Sequence, residues 1–358
     1  MYKKQHFVPE VYTKAWKTEV TNKKEPNKAF AGVYIFKNAD IIGDGANIGS
    51  ILWKPQLYTI GYDYLFVGKS CSKILSWFVN QIYETMQSNK PNPVYGKFGY
   101  SIIKTKESIR KHILDIEEWD FFYYNGNCAR KESILRVIRG LNCYILENAF
   151  DDVFEKHWEK YYQQFISEVR EGRPVANEQD ERQITSNSAT NMLKAFLIML
   201  CRNPIFDAMG IYTNIKNRIL IPNIENERAV DVLMKGGWYT DLYSMLFKNT
   251  KSFYHSIIKQ AIEGCKMVLF ETYKNAGKFI TSDNPAFQYK SPVIDKENTS
   301  GFVFPITPNH LLFICKGIPN SIDVVCYRFA NKDTIKHFNR IIKDNCVDIL
   351  ISCENTIE

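Results

Sequence analysis

Nowhere does this chain hold enough consecutive apolar residues to span a bilayer: its longest such run, Ala195 to Cys201, is far short of the ~20 required. The opening segment, Met1 to His6, is polar and has no apolar core of the kind that marks a secretory signal. The expectation is therefore a cytoplasmic protein with no membrane association. Nine cysteines are scattered without a single C-x-x-C pair, which argues against a disulfide framework and reads as reduced thiols, several of them small core residues. There is no Gly-x-Gly-x-x-Gly, no Walker-type Gly-Lys-Ser/Thr and no Gly-x-Ser-x-Gly. Phosphate cradling by a glycine loop, transfer chemistry on a dinucleotide such as NAD, and a serine nucleophile elbow thus lack support. His112, His157, His255, His310 and His337 have no second histidine or cysteine at ligand spacing, so they read as surface or packing histidines rather than zinc ligands. Repeats, low-complexity segments and Lys/Arg blocks are absent as well.

What remains is an ordinary globular composition with an aromatic excess: 358 residues, 45% hydrophobic, 24% charged and 14% aromatic. A chain of this length suits roughly two domains or subdomains and buries about three quarters of its unfolded surface, so no metal or disulfide is needed to hold it. The net charge of +7 gives a mild bias toward a polyanionic partner, with nucleic acid the first candidate.

Hydrophobic periodicity predicts mixed structure over 1–104. Pro9-Glu10 opens a short helix with Val8, Tyr12 and Trp16 on one face, Ala31–Lys37 alternates as a strand, and Leu57–Ile60 suggests a second. Cys71–Met86 reads as a helix stopped by Pro91-Asn-Pro93. Over 105–264 helical spacing dominates, in stripes through Ile109–Ile116, Ile134–Ile145 and Phe154–Phe165. A helix capped near Ser186–Ser188 is apolar on several sides and ends at Arg202-Asn-Pro204. Helices are expected over 225–246 and 252–264 too, and the charged stretch Arg170–Arg182 reads as a linker. Residues 265–358 return to β character, with a hairpin expected around Lys274–Gly277, a helix over Asn331–Lys343 and a last strand at Asp348–Ser352. The expected fold class is α+β: a largely helical middle with a small mixed or antiparallel sheet formed by N- and C-terminal strands, the three segments making one compact unit.

Two polar clusters have bland explanations. Asp151, Asp152, Glu155 and Glu159 alternate with Lys156 and Lys160, as a solvated, ion-paired helix face does. Trp158, Tyr161, Tyr162 and Phe165 are spaced for core packing more than for stacking on bases.

Two segments carry chemistry. Gln5-His6-Phe7-Val8-Pro9 puts an imidazole, which exchanges a proton near neutral pH, at a helix entry. Phe279-Ile-Thr-Ser-Asp-Asn-Pro285 runs from a strand into a polar turn, where Asp283 and Asn284 either line a cleft or simply form an Asx-type turn. Likewise His6 either reacts or donates a buried hydrogen bond.

These segments, with Arg202 and Pro204 ending an apolar helix and the Phe304–Pro308 Phe-Pro-x-Thr-Pro strand, occur in an order that resembles the prokaryotic family catalogued as domain of unknown function 4238, over about residues 3–352. The resemblance implies that His6, Arg202, Asp283 and Asn284 are held in common, without an assigned reaction. It also associates the chain with mobile or defence loci. One expectation is a phosphodiester hydrolase, a nuclease acting on RNA or DNA. In it His6 is the general acid or base, Asp283 its orienting carboxylate or the ligand of a divalent metal, and Arg202 the group that stabilises phosphoryl charge, with Gln5, Ser282 and Asn284 binding substrate. The other is a non-enzymatic sensor or interaction module in which the same motifs are structural. Oligomeric state is open.

Overall fold

The computed structural model describes residues 4–37, 40–55, 57–58, 71–175, 178–202, 265–291, 299–316 and 321–357. Pro204 and the helices expected over 225–246 and 252–264 lie outside them, as does the second half of the strand expected at 57–60. The described residues contain seven α-helices and seventeen strands in four sheets, falling into two compact units.

One unit holds α2 (Cys71–Gln87), α3 (Lys106–His112) and most of α4 (Lys131–Val153). Its sheet has three antiparallel strands, with β6 (Val94–Phe98) flanked by β7 (Ser101–Ile103) and β8 (Asp120–Tyr123). A reciprocal pair of bonds between Thr105 and Ser108 caps α3, satisfying donors that a bare helix start leaves unpaired.

The other unit is built on a seven-stranded sheet. Its order is β13 (Phe287–Ser291), β14 (Thr299–Thr307), β15 (His310–Lys316), β11 (Cys265–Thr272), β16 (Val324–Ala330), β10 (Glu178–Gln183) and β9 (Arg173–Val175). Every neighbour is antiparallel except β11 with β16. On one face Val268, Phe270, Leu311, Phe313 and Cys326 pack against Ile335, Phe338, Ile341 and Ile342 of α7 (Lys332–Asp344). The Asn331 side chain caps α7 by accepting from the Thr334 amide. On the opposite face, Phe302 and Phe304 meet Phe196 of α6 (Ser186–Arg202) and Trp158 of α5 (Trp158–Glu171). Trp158 and Phe165 are fully buried and belong to the core, whereas Tyr161 and Tyr162 of the same stripe are only half-buried.

A five-stranded sheet joins β12 (Thr281–Ser282), β17 (Ile349–Ser352), β3 (Phe30–Lys37), β2 (Thr18–Val20) and, beside β3, β4 (Asp44–Ala46). β1 (Lys4–His6) pairs with β5 (Trp53–Pro55) in a two-stranded sheet and leads into α1 (Glu10–Thr13).

The expectation of a largely helical middle with one small sheet is overturned. The largest sheet draws β9 and β10 from the stretch taken for a linker. Glu178–Gln183 has no apolar alternation, which hides it from periodicity. Its charges are matched across the ladder instead: Glu181 pairs with Lys266 at 2.5 Å and Asp180 lies 3.9 Å from Arg328. The hairpin expected at Lys274–Gly277 is also corrected, since β11 and β12 belong to different sheets. Thr185, one residue before the expected cap of α6, accepts from the Ser188 amide.

Candidate functional site

Consider first the N-terminal motif. Gln5 is fully buried on β1 opposite Lys54. His6 Nε2 lies 3.0 Å from Oε1 of Glu10, four residues on at the start of α1, and the ring also hydrogen-bonds the backbone of Ile51. Burial lowers the imidazole pKa, Glu10 opposes that and the Arg202 cation adds to it. Arg202 reaches the motif through the main chain. Its Nε and Nη2 donate to the His6 carbonyl at 3.2 and 2.9 Å, Nη1 donates to Glu155 Oε1 at 2.6 Å, and the guanidinium lies 4.5 Å from the Phe150 ring centre. Arg202 is 1% exposed. Glu155, expected on a solvated face, is thus drawn into a buried ion pair, while Lys156 keeps Asp151 and Asp152.

Asp283 behaves differently. Its Oδ1 accepts from the Val347 amide at 3.0 Å and the Cys346 thiol at 3.5 Å, and its Oδ2 accepts from the amides of Asp348 at 2.7 Å and Ile349 at 3.2 Å. A carboxylate has about four acceptor positions, and all are taken by the turn between α7 and β17. Burial and then the Asp283 charge push the Cys346 thiol up to about 12, so it stays a donor. Ser282 Oγ donates to the Asn284 carbonyl and accepts from the Asn284 amide, both at 3.0 Å, while the Asn284 side chain donates to the Asn345 carbonyl at 3.1 Å. With its oxygens so engaged, Asp283 is poorly suited to hold a cation. Among the described residues no group of three or more His, Cys, Asp or Glu is arranged to hold one.

The structure therefore brings His6 and Arg202 together, and Ser282, Asp283 and Asn284 together, but places the two motifs in different sheets. What joins the N-terminal segment to the C-terminal one is Tyr12. Its hydroxyl bonds Thr281 Oγ1 and the Pro305 carbonyl, each at 2.7 Å, and its ring stacks on Phe304. Trp16 Nε1 donates to the Phe279 carbonyl at 2.9 Å. Burial raises the Tyr12 pKa, keeping the hydroxyl protonated.

A third cluster escaped sequence reasoning. Arg170 forms a fork to Glu271 at 2.9 and 2.5 Å, and its Nη2 lies 3.1 Å from His310 Nε2. A guanidinium only donates, so His310 Nε2 accepts and Nδ1 carries the proton, donated to Thr307 Oγ1 at 2.8 Å. Burial takes the His310 pKa to about 4. Burial works to raise the Glu271 carboxyl, yet Arg170 and the Tyr327 hydroxyl hold it below the usual range. Arg170, Thr307 and His310 border an open cleft of about 730 Å³ lined also by Lys17, Lys278 and Asn309. His310 had looked isolated because its charged partners lie 39 and 140 positions away; only the β11–β15 register, which sets Glu271 opposite His310, discloses it.

Fold and site together define a protein built on a mixed seven-stranded sheet, with Arg202, Asp283 and Asn284 locked into bonds with the backbone and a charged cleft at one end of that sheet. The chain belongs to the family described as protein of unknown function (DUF4238), whose model matches residues 4–356, in agreement with the resemblance. No curated protein and no solved structure matches it. Among the described residues no helix is long and apolar enough to cross a membrane.

Proposed function

We propose that this chain is a recognition module in which the Gln5–Pro9 and Thr281–Pro285 motifs hold the fold rather than cleave a substrate. The observation that supports this reading is Asp283: three backbone amides and a thiol converge on its carboxylate, the arrangement of an anchor for the turn between α7 and β17. Arg202 supports it as well, because a guanidinium buried against a carbonyl, a carboxylate and a ring is turned inward. Replacing Asp283 by Asn removes the charge from these bonds at a cost of about 3 kcal/mol, a fall in Tm of roughly 6–12 °C. Thermal melting and RNA and DNA cleavage by wild type, Asp283→Asn and His6→Ala test the reading. Unchanged melting with cleavage abolished would overturn it.

One observation favours the phosphodiester hydrolase as a second reading. His6 keeps 14% side-chain exposure beside Glu10, itself 43% exposed, a histidine–carboxylate pair that reaches solvent. In that reading Glu10, not Asp283, orients the imidazole, and Glu10→Gln lowers cleavage without lowering Tm.

A further inference from the structure

Beyond the charged cleft, the same face of the seven-stranded sheet continues into an exposed aromatic strip. Side chains two apart on a strand share a face, and the register sets Glu271 opposite both His310 and Phe329. Tyr273 follows Glu271 by two residues, just beyond the end of β11. Its ring stacks on Phe329 at 4.9 Å with planes 19° apart, and Phe329 in turn meets Tyr327 at 5.2 Å. Tyr273 and Phe329 are 53% and 50% exposed. A pair of large rings left half in water, and held parallel by packing on one another, is a stacking surface whose ordering cost is already met by the fold.

The rings border a second opening of about 650 Å³, which shares Lys278, Asn309 and Glu354 with the first. The two are therefore adjoining parts of one depression. Four basic side chains (Lys17, Arg170, Lys274 and Lys278) and three acidic ones line it. Glu271, which the register sets opposite Phe329, is already matched by the Arg170 fork and the Tyr327 hydroxyl. Lys278 Nζ is steered by Asn309 Oδ1 at 2.5 Å, a neutral partner that leaves its charge uncompensated by that bond. The depression thus offers a flat aromatic surface beside Lys274 in one opening, Lys17 and Arg170 in the other, and Lys278 where the two meet.

We propose that this depression binds a nucleoside phosphate unit, with the base against the Tyr273–Phe329 pair and the phosphate toward Lys278 and Lys17. The chemistry accounts for both halves. Stacking on exposed aromatic rings suits any base because every base has a π-face, and flexible ammonium groups serve a phosphate as point charges. A free mononucleotide and one nucleotide of a single strand share this chemistry. The proposal rests on the recognition reading above but uses neither of its motifs.

Calorimetric titration of the full chain with adenosine 5′-monophosphate, a single-stranded oligoadenylate of about eight nucleotides, and orthophosphate tests it. Saturable binding of at least one base-bearing ligand, tighter than orthophosphate, is expected. The double variant Tyr273→Ala/Phe329→Ala should weaken that binding about tenfold or more with Tm unchanged, and Lys278→Gln should weaken both it and orthophosphate binding. Tighter binding of the oligonucleotide assigns the site to a strand, and equal binding assigns it to the free nucleotide. The proposal is overturned by absence of binding of either base-bearing ligand at millimolar concentration, by orthophosphate binding as tightly as they do, or by undiminished affinity in the aromatic double variant. Because Asp283 and His6 are untouched in these variants, such a result leaves the structural assignment of the motifs to its own melting experiment.

Discussion

Two carboxylates in this molecule, Asp283 and Glu271, are both held by several donors, yet they do opposite things. Asp283 takes its bonds from main-chain amides of one turn. Glu271 takes its bonds from the side chains of Arg170 and Tyr327, which reach it from α5 and from the neighbouring strand. A backbone amide cannot leave without unfolding the turn, so the first arrangement fixes a chain path. Side chains can reorient, so the second is compatible with a ligand entering the cleft beside it. The motif residues that stand out as text are the anchors, and the residues that border open space are dispersed.

The sharpest way to break this contrast is to remove an arginine from each region. Arg202 is buried against Glu155 and the His6 carbonyl. Arg202→Met leaves that carboxylate and carbonyl without their donor, and losses of about 3–5 kcal/mol are typical when one member of a buried pair is removed. Arg170 has 48% side-chain exposure, and Glu271 keeps the Tyr327 hydroxyl when it is gone, so Arg170→Met should cost less, about 1–3 kcal/mol. Denaturant unfolding of the two variants checks the ordering. Equal losses would erase the distinction between anchor and cleft wall.

How much of this was legible beforehand depends on distance along the chain. Short-range order was readable where an apolar pattern repeats locally: the α7 stripe of Ile335, Phe338 and Ile342 within the helix expected over Asn331–Lys343, or the alternation over Ala31–Lys37 that becomes β3. The family was readable too, because its motifs are contiguous words. The large sheet was not. β10 is polar throughout and finds its place only through pairing with β16, so nothing in its own residues marks it as a strand. The candidate site divides in the same way. His6 and Arg202 do meet, but through a carbonyl oxygen that no side-chain pattern encodes. Asp283 reads in the sequence as either a cleft residue or part of an Asx-type turn, and its bonds run instead to amides 64 to 66 residues further on. His310 and Glu271 are set side by side by the β11–β15 register, which exists only once two strands nearly forty residues apart have paired.

Acid sharpens the comparison at intermediate size. The pKa of His310 falls from the ordinary 6.5 to about 4 through burial, against the pull of Glu271. A lowered histidine pKa means that the unfolded chain binds the proton more readily. Stability from this group is therefore complete above pH 6.5 and is lost as pH falls toward 4, by about 3 kcal/mol over that window. His6 and His337, also lowered by burial, act in the same direction. The difference in unfolding free energy between wild type and His310→Gln, followed from pH 7 to pH 4, isolates the cleft histidine. It should shrink as the solution is acidified, and a constant difference would show that the ring is not held neutral beside Arg170.

The smallest effect belongs to the anchor. Cys346 donates to Asp283 Oδ1, and burial with that neighbouring charge pushes its pKa to about 12, so at pH 8 only about one thiol in ten thousand is a thiolate. Since the thiolate is the nucleophile, iodoacetamide at pH 8 should modify exposed Cys128 well before Cys346, as read by peptide mass spectrometry. Cys346→Ser should change stability by less than about 1 kcal/mol, because the amides of Val347, Asp348 and Ile349 still hold the carboxylate. In Asp283→Asn, by contrast, the charge that opposes ionisation is gone and the turn is loosened, so Cys346 should label faster. If its labelling rate is the same in both proteins, the bond to Asp283 is not what suppresses the thiol, and burial alone accounts for its inertness.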